Sequence, residues 1–154
     1  MSRSSALFGR SGYRKMGTSF VQYNGYGFWS WDGYLEHALF VLAEAIGESP
    51  QESWLIGVRD HWREQASGIF SACIHPNLNE YLTSEDRRNV ILGLIEEVRF
   101  RADVTTEVAA TVEFLQRLIR GELMTDAASP LDYMVSGDHP YEWWVQRNAE
   151  MGGL

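Results

Sequence analysis

Disulfides, membrane spans and phosphate-binding loops have nothing to form from in this sequence. Cys73 is the single cysteine among 154 residues, so no intramolecular disulfide can form. Nothing in the thiol usage points to an oxidising compartment, and a cytoplasmic location is expected. Long apolar runs are missing too. The longest, Ala38 to Ile46, is interrupted by Glu44 and falls far short of the roughly 20 residues that cross a bilayer. The glycine-containing runs near Tyr26 and Gly33 carry neither a P-loop lysine nor a dinucleotide fingerprint, so no phosphate cradle is expected. Neither Glu-x-x-His nor two histidines one turn apart occurs, and helical bundles hold metals by such spacings. No metal, no other cofactor and no catalytic residue is assigned.

Positive charge is scarce outside the first fifteen residues. The formal net charge is -8, yet Arg3, Arg10, Arg14 and Lys15 stand at the start without an acid among them, leaving nine basic against 21 acidic residues beyond. Such a body repels phosphate backbones, which excludes direct nucleic-acid binding as the expected role, and it draws basic partners toward itself. The stretch 1–17 reads as a disordered basic tail. Its acid-free composition is also that of an organelle transit peptide, and Met16 offers a second start.

What is present supports one domain over 18–154. A hydrophobic content of 45% with 22% charged residues suits a packed core. Thr18 to Tyr23 reads as a short extended segment, and Asn24-Gly25, Gly27 and Gly33 as turns, giving an irregular aromatic N-terminal arm. After Asp32, placed as an N-cap, Leu35, Ala38, Leu39, Leu42 and Ile46 recur at helical spacing and Gly47 stops the helix. Ser49-Pro50-Gln51-Glu52 reads as a capping box opening a second helix with the stripe Trp54, Leu55, Val58, Trp62, Ala66 and Ile69, with a break expected near Gly68. His75-Pro76-Asn77 forces a loop. Thr83-Ser84-Glu85-Asp86 opens a third helix (Val90, Ile91, Leu94, Ile95, Val98) that exits near Asp103. A fourth runs from Thr105 or Thr106 through Val108, Val112, Leu115 and Ile119 to Gly121. Leu123 to Pro140 reads as a loop over the bundle, followed by a short C-terminal helix with Trp143 and Trp144. The expected fold is all-α, a single-domain bundle of four main helices.

Three clusters invite a chemical reading. Tyr23, Tyr26, Phe28, Trp29, Trp31 and Tyr34 crowd into twelve residues. They read either as a binding platform, since Tyr and Trp dominate interface hot spots, or as a plug anchoring the arm on the bundle. On the second helix, Asp60, His61 and Glu64 stand three and four apart on one face, as an acid/base pair would, or as an ordinary solvated flank. Cys73 and His75 place a thiol near an imidazole, although a buried structural cysteine is the commoner meaning. His37 falls opposite the Leu35, Leu39, Leu42 stripe, on the outward face.

These features together predict a small acidic intracellular protein-binding module. It fits a stoichiometric inhibitor of a basic partner, in size and charge like the immunity proteins with which bacteria mask their own toxins. Tyr26, Trp29, Trp31, Asp32, Glu36, Asp60 and Glu64 would then form the partner-binding surface. The alternative is a helical-bundle hydrolase with an acid/base or metal site around His61 and Glu64. Self-association through the aromatic surface is a third reading.

Overall fold

The computed structural model describes residues 17–50, 52–70 and 73–122. The basic tail up to Met16, the loop from Leu123 and the terminal helix expected around Trp143 and Trp144 lie outside the described residues. Among the described residues the order is β1 (Thr18–Tyr23), β2 (Tyr26–Trp31), α1 (Asp32–Ile46), α2 (Ser53–Gln65), α3 (Leu78–Tyr81), α4 (Glu85–Arg99) and α5 (Thr106–Ile119). The fold is mainly α with one small antiparallel sheet.

The expected irregular arm is instead a β-hairpin. Asn24 and Gly25 take φ of 52° and 88°, and two consecutive positive values make the tight turn whose twist matches paired strands. Tyr23 therefore lies opposite Tyr26, Val21 opposite Phe28 and Ser19 opposite Ser30. In β1, Ser19, Val21 and Tyr23 are buried while Gln22 is exposed, the period of two of a half-buried strand. β2 shows no such alternation, because Gly27, Phe28, Trp29 and Ser30 are all buried. Gly27 is needed where it stands: a Cβ there would lie 2.3 Å from the Val21 carbonyl oxygen and 2.6 Å from the Phe20 ring. That ring meets Trp29 edge-on at 5.2 Å. Phe28, on the other face, stacks on Phe114 of α5.

α1 is the centre of the molecule, packing on α2, α4, α5 and β2. Its predicted stripe is inside, with Leu35, Ala38, Leu39 and Leu42 fully buried, and Gly47 ends it at φ 79°. α5 keeps all four of its expected core residues, Val108, Val112, Leu115 and Ile119. α4 buries only Ile91, Ile95 and Val98, and Val90 faces solvent. α2 buries Val58 and Trp62 with Gln65, and it ends there: Gly68 turns at φ 91° and Ile69 is 78% exposed. The helix stops short of Ile69, so the last residue of its predicted stripe never reaches the core.

Two of the four helix starts fall where their caps predict. Ser84 Oγ accepts the Arg87 N–H and Thr105 Oγ1 accepts the Val108 N–H, both at 3.2 Å. The other two differ. β2 runs straight into α1, so the cap position is Trp31 and Asp32 is already helical; its N–H bonds to the Gly17 carbonyl. α2 begins at Ser53 with Glu52 as its uncapped N-cap residue, so no capping box forms at Ser49. Arg59 reaches back to the Gly47 carbonyl at 3.1 Å and Arg63 to Glu48 at 2.6 Å. These ties hold the connection outside the helix. Ser84→Ala should therefore cost about 1 kcal/mol in urea denaturation, whereas Ser49→Ala should change stability by less than about 0.5 kcal/mol. Equal losses at the two positions would contradict this assignment.

Candidate functional site

Beyond the end of α2, residues 73–76 lie against its C-terminal half and alternate in burial: Cys73 exposed, Ile74 buried, His75 exposed, Pro76 buried. The sequence had placed Cys73 inside, at the end of α2. The helix stops at Gln65, and the thiol is exposed.

Four backbone groups of this stretch are tied to α2 and the hairpin. The Trp62 indole N–H donates to the Pro76 carbonyl at 2.9 Å, and the Gln65 side-chain oxygen accepts the His75 N–H at 2.7 Å. His61 Nε2 lies 2.7 Å from the His75 carbonyl oxygen, which makes that nitrogen the protonated one. From the hairpin, Ser19 Oγ accepts the Ile74 N–H at 3.0 Å and donates to the Asp32 carboxylate at 2.6 Å. Asn77 then turns the chain at φ 57° into α3. There Asn79 Oδ1 accepts the Asn24 N–H of the hairpin turn, and the Leu82 carbonyl accepts the Tyr23 hydroxyl.

Between β1 and this loop lies a surface cleft of about 190 Å³, lined by Phe20, Gln22, His75, Pro76, Asn77, Leu78, Asn79 and Glu80. Glu80 is its one formal charge. Tyr81, beside the cleft, has its hydroxyl pKa pushed up by burial, helped by the negative charges of Glu80 and Asp60. Its ring also faces that of His61, with centroids 6.0 Å apart. The sequence singled out only His61, His75 and the His75-Pro76-Asn77 turn in this neighbourhood, and not as a cleft.

The residues expected to meet a partner are divided by the fold. Asp60 and Glu64 are exposed on α2 and Tyr26 is 36% exposed at the hairpin turn. Trp31 is half-buried, and Trp29 is only 9% exposed, on the outward face of the hairpin with Phe20 against it. Asp32 and Glu36 are 0% and 1% exposed. Their places on α1 fall in phase with Leu35 and Leu39, so the expectation that they face solvent is corrected: these carboxylates belong to the interior. His37, expected outward, is half-buried, and burial lowers its pKa against the opposing pull of Asp103.

His61 Nε2 is held by the His75 carbonyl, and no hydrogen bond found among the described residues joins His61 to Glu64. No group of three or more His, Cys, Asp or Glu side chains converges as a metal site among the described residues. No helix among them is long and apolar enough to cross a membrane.

The charged surface is uneven. Arg63 bridges Glu44 and Glu48, Arg59 holds Asp60, and Arg101 holds Asp103. The Arg63 hydrogen bond pulls the Glu48 pKa below its usual value, and Arg101 does the same to Asp103. Glu52, Glu64, Glu80, Glu85, Asp86 and Glu97 are exposed, and the ion pairs found among the described residues include none of them. No family model, curated protein or solved structure matches this chain.

Proposed function

We propose that this chain is a small acidic protein-binding module, a stoichiometric inhibitor of a basic protein in the manner of an immunity protein. The observation that supports it best is the set of exposed carboxylates, Glu64 on α2, Glu80 on α3 and Glu85 and Asp86 on α4, that enter no ion pair found among the described residues. Fixed, exposed charge of one sign raises the encounter rate with a partner of the other. The burial of Asp32 and Glu36 moves the acidic surface away from the start of α1, onto Asp60, Glu64 and the carboxylates that follow the cleft. Tyr26 at the hairpin tip supplies exposed aromatic contact.

The test is kinetic. A basic protein captured on the immobilised full-length chain at low salt should associate more slowly as salt rises, because screening shortens the reach of exposed charges to about 8 Å at physiological ionic strength. The double reversal Asp60→Lys with Glu64→Lys should lower the on-rate about tenfold at low salt and leave the off-rate within about twofold. Glu64→Lys alone should do more than Asp60→Lys alone, because Arg59 already offsets the Asp60 charge at 2.9 Å. An on-rate indifferent to salt and to both reversals overturns the reading, as does failure to recover any basic protein.

A further inference from the structure

The cleft beside the hairpin has a size and a chemistry that select its occupant. Pockets for metabolites and drug-sized ligands span roughly 300–1,000 Å³, and this one encloses about 190 Å³. It is therefore the size of one side chain. Its floor and walls hold one carboxylate, Glu80, three side-chain amides, Gln22, Asn77 and Asn79, and the ring of Phe20, with no lysine or arginine among the lining residues. The loop carbonyls behind it are already engaged: His75 O by His61, Pro76 O by Trp62, and Asn77 O by the Glu80 and Tyr81 N–H groups. What is left to meet a visitor, besides the His75 ring, is the Glu80 carboxylate, one oxygen of which also accepts the Asn77 side-chain N–H at 3.4 Å, the amide oxygens of Gln22 and Asn77, and an aromatic face. Carboxylate, amide oxygens and ring together match a planar cation with several N–H donors.

We infer that this cleft receives an arginine side chain of the basic partner, its guanidinium against Glu80 and Asn77 and over Phe20. The assignment rests on the reading of the chain as a binder of basic proteins and names the anchor of that contact. Arginine fits better than lysine here. The ammonium of lysine is a strongly hydrated point charge, whereas a guanidinium presents a flat fork that pairs with a carboxylate and stacks on a ring. Arginine is also one of the residues enriched at interface hot spots. The frame is pre-set, since Asn79 is fixed by the Asn24 N–H and the loop by α2 and Ser19, so little order is lost when the cleft fills.

The probe is Nα-acetyl-arginine N-methylamide, titrated into isotope-labelled full-length protein and followed by nuclear magnetic resonance, with the lysine and citrulline counterparts as comparisons. The expected result is a saturable shift of the Gln22, Asn77 and Asn79 side-chain amides. Binding should be at least threefold weaker for the lysine compound and undetectable for citrulline, which keeps the shape without the charge. Glu80→Gln should weaken the arginine probe at least fivefold. Gln22→Arg, on the exposed face of β1, should occupy the cleft from within and abolish the probe's shifts even if Glu80→Gln disturbs α3. Shifts spread equally over the exposed carboxylates of α2, or equal affinity for the arginine and lysine compounds, overturn the assignment. If a basic protein binds with the expected salt dependence while the probe leaves the cleft unmoved, the cleft assignment falls and the proposed function stands. If the probe fills the cleft while no basic protein binds, the proposed function falls and the cleft remains an arginine site.

Discussion

Trp62→Ala should lower the stability of the protein by about 3–5 kcal/mol, enough to depress the melting temperature by roughly 10 °C or more. The indole is 1% exposed within the central cluster, so truncation opens a cavity that the surrounding helices close only in part. It also strands the Pro76 carbonyl, which the indole N–H now satisfies at 2.9 Å. Trp62→Phe separates the two losses. It keeps most of the bulk and removes the donor, and it should cost about 1–2 kcal/mol. Urea denaturation measures both. A loss below about 1 kcal/mol for the alanine variant would mean that α2 does not pin the 73–77 run as described.

Ser19→Ala should cost about 3 kcal/mol although it removes one oxygen atom. Ser19 is 1% exposed and Asp32 is 0% exposed, and the hydroxyl serves both sides, giving its proton to the carboxylate and taking the Ile74 N–H. Its loss removes a hydrogen bond to a charged group and leaves a buried backbone donor without its acceptor, each worth roughly 1–3 kcal/mol. The opposing residue in the hairpin provides the control. Ser30 is also buried, yet its hydroxyl bonds only to the neighbouring Trp31 carbonyl at 3.2 Å, so Ser30→Ala should cost less than about 1 kcal/mol. Amide hydrogen exchange gives a local readout: the Ile74 N–H should exchange faster in Ser19→Ala than global destabilisation requires. Equal effects of the two alanines would remove the bridging role of Ser19.

The helices α1, α4 and α5 were legible because their stripes repeat at 3.6 residues and the signals at Gly47, Ser84 and Thr105 agree with those stripes. α1 carried a further message that charge obscured. Positions 32, 35, 36 and 39 lie on one helical face, so two carboxylates stand in register with two leucines, and the in-phase spacing outweighs the usual preference of acids for water. Ser19 and Asp32 are thirteen residues apart, and no local pattern announces their hydrogen bond. The hairpin had its signal in Asn24-Gly25, the strongest short turn for paired strands. It was obscured because β2, from Tyr26 to Trp31, is buried on both faces and so lacks the polar alternation of a surface strand. The capping pattern at Ser49 failed for the opposite reason. Local chemistry favoured a helix start there, and from the following helix Arg59 holds the Gly47 carbonyl and Arg63 the Glu48 side chain. The cleft left no trace in the sequence, since its walls come from a strand and from a loop more than fifty residues later.

That separation bears on how the protein comes off the ribosome. Ser19 is tied to Ile74, 55 residues further along, and Tyr23 to Leu82, 59 residues further along. A two-stranded ribbon alone is marginal in water, so β1 and β2, although made before every other described element, hold no lasting shape until the chain through Leu82 has emerged. Phe28 waits longer still, for Phe114 of α5. The hairpin is therefore the first of these elements to be synthesised, and its tertiary partners, Ile74, Leu82 and Phe114, are all made much later.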